Sequence, residues 1–273
     1  MSKVRKSKQL GVALGGGAAR SLTSIGVLRV LEEEGIAVAA IAASSGGAII
    51  GASYAGGYPL EKLEELAGPL TWRGITRFAF SRRGLLSLDG LESLIRDLVP
   101  VERFEDLSIP LKVIATDLDS GERVVISTGD LVSALLASCA IPGVFLPVER
   151  EGRLLVDGGV SCNVPADVVR DLGCRVVLAV DATAGIRRLG EPYNLLQVIV
   201  QSVYSMSRHL AKHHLNHADV VVAPEMKGIG WEDLERSREV IEFGRQAMRE
   251  KLPSLENELR RRKLGRLIPR WFQ

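Results

Sequence analysis

Short, unbroken apolar runs alternate along this chain with stretches whose apolar residues recur every three or four positions. The runs at 10–14, 38–42, 111–116, 123–127, 154–156, 175–180 and 219–222 read as strands. The periodic stretches at 21–34, 47–55, 60–67, 89–98, 130–137, 166–171, 195–216 and 231–262 read as helices. Several of the strands are almost wholly Val, Ile, Leu and Ala, as expected where helices cover both faces of a sheet. Strand–helix alternation then predicts an α/β fold, a three-layer sandwich around a mostly parallel central sheet. Asp117-Leu-Asp-Ser-Gly121 between 111–116 and 123–127 predicts a hairpin, and hence some antiparallel pairing. With no repeat, low-complexity tract or linker-like segment, one domain over 1–273 is expected.

Composition narrows the classes. A formal charge of +2 on 273 residues argues against a nucleic-acid protein, and 46% hydrophobic content argues against disorder. The basic residues 1–9 are followed by too short an apolar run for a signal-peptide core, and no stretch is long enough to span a bilayer. The expected location is the cytoplasm, with peripheral contact at the inner membrane surface as an extension of that reading. Cys139, Cys162 and Cys174 are odd in number and lie among small or apolar neighbours, which suggests reduced core thiols.

Three segments carry candidate chemistry. Ala43-Ser44-Ser45-Gly46-Gly47 joins a predicted strand to a predicted helix. Small neighbours allow a sharp turn there that presents the Ser45 hydroxyl beside free helix-start N–H groups. Ahead of it, Gly15-Gly16-Gly17-Ala18-Ala19-Arg20 also lies between strand and helix. It lacks the lysine of a nucleotide-phosphate loop and the final glycine of a dinucleotide fingerprint. Its remaining chemical use is an oxyanion hole made from the N–H groups of Gly16, Gly17 and Ala18. The third is Asp157-Gly158-Gly159, a carboxylate in a tight loop after an apolar run, which in isolation reads first as a plain Asp-Gly turn.

Together, and in this order, the segments resemble the patatin-like phospholipase family, specifically its small bacterial cytoplasmic branch. Further family-like segments are 36–55, 115–122, 137–147 and 218–225, so the resemblance covers nearly the whole chain. It implies a patatin-like fold and a serine acyl hydrolase that cleaves fatty acyl esters of lipids. Position by position, Ser45 matches the family nucleophile and Asp157 its partner in a two-residue dyad. Gly16, Gly17 and Ala18 match the oxyanion loop and Arg20 the basic residue after it, while Gly46, Gly47, Gly158 and Gly159 complete the two motifs. Ala43, Ala18 and Ser21 stand where glycine is usual, which matters wherever the backbone needs positive φ. An aspartate is a weak base at its ordinary pKa, so a working dyad requires Asp157 to be desolvated.

Two rival readings stay open. An α/β-hydrolase-type carboxylesterase would add a histidine to make a Ser-His-Asp triad. All four histidines, His209, His213, His214 and His217, lie in one short stretch late in the chain, largely on the predicted helix 195–216. They could equally form a solvated face, or a metal site at the i, i+4, i+8 spacing of His209, His213 and His217. A lipid- or acyl-binding protein without turnover is the second rival. No metal or organic cofactor is required by the dyad chemistry, and the expected partner is a lipid or fatty acyl ester. Residues 68–90 mix Trp72, Phe78 and Phe80 with Arg73, Arg77, Arg82 and Arg83, and the tail from about 260 to 273 is basic with apolar anchors. Either could contact a membrane, the former as a lid. The alternatives are an ordinary core-filling loop and a frayed helix end.

Overall fold

A computed structural model describes residues 9–75, 77–78, 86–185 and 194–264. Ten strands are present among them: β1 (Leu10–Leu14), β2 (Val38–Ser44), β3 (Arg77–Phe78), β4 (Leu86–Ser87), β5 (Leu111–Asp117), β6 (Arg123–Ile126), β7 (Val148–Arg150), β8 (Arg153–Asp157), β9 (Val176–Val180) and β10 (Val220–Val222). The helices are α1 (Thr23–Glu33), α2 (Gly46–Ala55), α3 (Leu60–Ala67), α4 (Trp72–Ile75), α5 (Asp89–Leu98), α6 (Leu131–Ser138), α7 (Ala166–Asp171), α8 (Leu195–Leu215) and α9 (Ser237–Leu264).

The main sheet runs β10-β9-β1-β2-β5-β8-β7, with β6 also on β5; β3 and β4 form a separate ribbon. From β10 through β5 every pairing is parallel, whereas β6, β8 and β7 join antiparallel. The sheet is therefore mostly parallel, with the expected β5–β6 hairpin at its change of direction.

Period-two alternation of strand side chains divides the interior into two layers. Leu10, Val12 and Leu14 of β1, Ile41 and Ala43 of β2, and Val176, Leu178 and Val180 of β9 face one core, which α1, α2, α3, α5, α6 and α9 cover. Ala13, Ala40, Ala42, Ile114, Val177 and Ala179 face the other, closed by α7 and by Ala211 of α8. The second face is richer in alanine, so its helices can approach the sheet closely. The first carries the larger aliphatic groups, each contributing about 1.5–3 kcal/mol on full burial.

Strand β7 escaped the sequence reading because Val148-Glu149-Arg150 has neither an apolar run nor alternation long enough to register. The last helix begins at Ser237, later than its apolar pattern suggests; a short 3₁₀ turn at Leu234–Arg236 precedes it. Residues 1–8, Phe80, Arg82 and Arg83, and the tail beyond 264 fall outside the described residues. Among the described residues, no helix is long and apolar enough to cross a membrane.

Candidate active site

Sheet register explains how distant residues meet. Ser44 on β2 pairs with Ile114 on β5, and the next residue of β5, Ala115, pairs with Asp157 on β8. Ser45 and Asp157 therefore arrive at one level on opposite sides of β5, from strands of opposite direction. Ser45 Oγ donates a 2.6 Å hydrogen bond to Asp157 Oδ2. Both residues are buried, at 5% and 6% exposure.

Ser45 sits at φ 52°, ψ −135°, a strained conformation for a residue with a side chain. Such strain costs roughly 1–3 kcal/mol and persists only where surroundings over-determine it. Here the Ser45 N–H donates to Ser138 Oγ at 2.8 Å, and the Ser45 carbonyl accepts from Ala48 at the start of α2. Gly16 presses on the same turn: a Cβ there would come within 2.5 Å of Ser45 Cβ.

Asp157 Oδ1 accepts the N–H of Gly159 at 2.7 Å. No Lys, Arg or His pairs with this carboxylate among the described residues. Burial without a cation raises its pKa to about 6, although the bonds from Ser45 and Gly159 pull the other way. The Cys139 thiol lies beside the Ser45 hydroxyl and stays protonated; burial, then the Asp157 charge, pushes its pKa far up.

The glycine loop is held from two directions. Asn163 Oδ1 accepts the Gly16 N–H at 3.1 Å, and Asn163 Nδ2 donates to the Gly16 carbonyl at 3.2 Å. The Gly16 N–H is therefore engaged, which corrects the expected row of three open donors. The N–H groups of Gly17 and Ala18 form no hydrogen bond among the described residues, and both residues line pockets that also contain Ser45. Arg20 is fully buried and acts as a buckle. Its guanidinium donates to the carbonyls of Ala182, Ala184, Met226 and Ile229. Burial lowers its pKa to about 10, so it remains a cation at neutral pH.

Of the three residues standing where glycine is usual, only Ala18 adopts positive φ, at 47°. Its carbonyl accepts a 2.6 Å bond from Ser21 Oγ, so the serine replacing a glycine helps hold the strained alanine. Ala43 lies in regular β2 and needs no glycine.

An apolar cleft leads away from Ser45. It lies between α2, α3, α4 and α5, with Ile50, Leu63, Leu70, Trp72, Leu91 and Leu98 among its walls. Trp72 belongs to the segment expected to be either lid or core; its ring packs edge-on against Trp231 and its Nε1–H donates to the Glu232 carbonyl at 2.7 Å. A much smaller pocket, also lined by Ser45, is bordered by Gly17, Ile141, Asp157, Gly159, Asn163 and α8 residues Val203, Tyr204 and Ser207.

The histidines are elsewhere. None hydrogen-bonds to Ser45 or Asp157 among the described residues. His209, His213 and His217 are exposed, and the i, i+4, i+8 metal reading finds no support in them. His214 instead lies 3.6 Å from Asp167 and beside Cys162, partners that the sequence spacing did not reveal; Asp219 is taken by Arg170 and Arg262. The ligand atoms of Cys162, Asp167 and His214 lie within 4.8 Å of one another, the described group best able to hold a metal ion. The Arg123 guanidinium, 2.6 Å from Asp167 and 3.6 Å from the Cys162 sulfur, already supplies the cation there. All three cysteines are buried, and none forms a disulfide among the described residues.

Asn163, Ser138 and the α8 residues were missed by sequence reasoning. Asn163 lies six positions past Asp157 in a segment that carried the motif, but nothing local announces an amide reaching Gly16.

These elements define a known class. Residues 12–170 match the patatin-like phospholipase family, more than half of the chain, and the chain belongs to that family. An uncharacterized NTE family protein of Mycobacterium bovis is 38% identical over 192 residues, covering 68% of this chain and 53% of that protein. The chain thus spans about half the length of such relatives. Lysophospholipase NTE1 of Saccharomyces cerevisiae is 28% identical over 66% of this chain and 11% of its own. In fold, the chain is similar to VipD of Legionella pneumophila, with TM-score 0.52 at 13% identity over 93% of this chain and 67% of that one.

Proposed function

We propose that this chain is a serine acyl hydrolase of the phospholipase or lysophospholipase type, acting on fatty acyl esters of lipids through a Ser45–Asp157 dyad. The observation that carries the reading is the 2.6 Å Ser45–Asp157 bond, with Ser45 lining an aliphatic cleft. Asp157 takes the Ser45 proton as Oγ attacks the ester carbonyl. The negative charge moves onto the carbonyl oxygen, where the Gly17 and Ala18 N–H groups receive it; one such donor is typically worth about 2.7–4 kcal/mol. Asp157 then returns the proton to the departing alcohol or lysolipid, leaving an acyl-Ser45 ester. Water, deprotonated by Asp157, cleaves that ester and releases the fatty acid. A carboxylate titrating near 6 suits this role, being ionised at neutral pH yet more basic than an exposed aspartate.

The acyl chain takes the aliphatic cleft, whose lining is mostly apolar with few polar groups such as Ser21, Ser45 and Ser53. The family match and the lysophospholipase relative support the same substrate class. The decisive experiment compares wild type with Ser45→Ala on p-nitrophenyl esters and lysophospholipids, alongside fluorophosphonate labelling. Turnover lost in Ser45→Ala, with labelling of Ser45 in wild type, is the expected result. Undiminished turnover in the variant, or a folded wild type that neither labels nor turns over, defeats it and favours an acyl-binding protein.

A further inference from the structure

Of the buried hydroxyls that lack a partner among the described residues, one lines a pocket together with both Ser45 and Asp157. Ser207 on α8 is 2% exposed, and its hydroxyl has no hydrogen-bond partner among the described residues. A buried, unpaired hydroxyl costs about 1–3 kcal/mol, so one kept beside a reactive pair calls for an explanation. Ser207 lines the small pocket that also reaches Ser45, Asp157, Gly159 and Asn163. A point beside Gly159, where a side chain would begin, lies 3.0 Å from Asp157 Oδ1, 3.0 Å from Asn163 Oδ1 and 3.5 Å from Ser207 Oγ. Gly159 carries no side chain, so the three oxygens share that space. The pocket leaves about 10 Å³ for the centre of a water-sized sphere, room for a single water and little more.

We infer that this pocket is the seat of the hydrolytic water and that Ser207 is the positioning residue that holds it against Asp157. The inference rests on the proposed acyl-enzyme chemistry and concerns its second half only. In that half, the water held by Ser207 gives a proton to Asp157 while its oxygen forms a bond to the acyl carbon of acyl-Ser45. The tetrahedral species then breaks its Ser45 Oγ–carbon bond, Asp157 returns the proton to Oγ, and a fatty acid leaves. Acyl chain and water thus occupy separate pockets that both reach Ser45. The structure also explains how α8 reaches the site: Asn194 and Gln197 form reciprocal side-chain-to-backbone bonds at its start, fixing where the helix begins.

The test follows acyl-Ser45 by intact mass after a pulse of p-nitrophenyl ester, with steady-state kinetics in parallel. Removing an unpaired hydroxyl leaves the fold intact or steadier. Ser207→Ala is expected to lengthen the acyl-enzyme lifetime about tenfold or more, lowering kcat and KM together while kcat/KM and the acylation burst stay at wild-type values. Ser207→Thr, which keeps the hydroxyl, should recover a short lifetime; Ser207→Val, of the same shape without it, should not. An unchanged lifetime in Ser207→Ala overturns the assignment, as does a fall in kcat/KM matching that in kcat. A wild type that hydrolyses esters without passing through acyl-Ser45 overturns the covalent mechanism itself, which the adduct mass distinguishes from failure of the Ser207 step.

Discussion

Asp157 and Asp167 are near neighbours in sequence, on β8 and α7, and their carboxylates have opposite fates. Asp157 is buried without a cation and its pKa rises to about 6. Asp167 is also partly desolvated, but bonds from His214 and Arg123 outweigh that and hold it far below the carboxylate range. Its partner His214 rises to about 10, chiefly through Asp167 and next through Cys162. The contrast separates a carboxylate available as a base from one committed to structure. Burial alone does not decide it; what decides it is whether a guanidinium or imidazolium stands opposite.

The largest expected effect comes from removing the available base. Asp157→Asn should lower kcat/KM by about 10⁴, on the scale seen when a catalytic acid–base group is lost. It should also stabilise the fold. A folded-state pKa near 6 exceeds the unfolded value of 3.8, so the wild type loses stability as pH rises between those values, and at pH 7 the ionised form is the costly one. Urea denaturation at pH 7 should show Asp157→Asn more stable by roughly 1–3 kcal/mol. A variant both inactive and less stable would mean that Asp157 is structural. In the wild type, kcat/KM should fall about tenfold per pH unit below pH 6.

Next comes the clamp on the glycine loop. Asn163→Ala frees Gly16 from both of its side-chain bonds, and kcat should fall about 10–100-fold with the dyad left in place. Asn163→Asp should behave alike, because a carboxylate cannot donate to the Gly16 carbonyl. Full activity in either would remove the clamp from the catalytic account.

Asp167→Asn should do the opposite of Asp157→Asn: activity within about twofold of wild type, but stability lower by roughly 1–2 kcal/mol at neutral pH. The sign follows from both partners. Asp167 is depressed, so its contribution is present above its unfolded pKa and lost on acidification. His214 is raised, so its contribution is full below 6.5 and lost as pH climbs toward 10. The difference between wild type and Asp167→Asn should therefore shrink over that alkaline window. The smallest effect is reserved for the histidines: replacing all four with glutamine should leave kcat/KM within about twofold, and a thousandfold loss would revive a triad.

Much of the scaffold was legible because runs of Val, Ile, Leu and Ala interrupted by helical periodicity have few other solutions. The strands β1, β2, β5 and β9 announce themselves this way, whereas β7 is three residues of mixed polarity paired by tertiary context. Ser45 was singled out by turn chemistry, and Asp157 by the order of motifs that the family resemblance supplied. Their proximity comes from the antiparallel entry of β8 beside β5, which no local pattern encodes. Asn163, Ser138 and Ser207 contribute single hydrogen-bonding atoms through long-range contacts, and an isolated Asn or Ser in a sequence signals nothing. The pairing of His214 with Asp167 and Cys162 escaped for the same reason: α7 and α8 are far apart in the chain and adjacent only after packing.

The cleft beyond Ser45 draws most of its walls from one continuous stretch, α2 through α5, which enters the fold as a single excursion between β2 and β5. The proton-handling groups come from other parts of the chain, save Ser45 at the edge of that excursion. Under the proposed acyl chemistry, selectivity for tail length and bulk is modular: the cleft-lining residues between α3 and α5 could be recast, by divergence or by a protein engineer grafting from a cousin, while the Ser45–Asp157 pair stays in place.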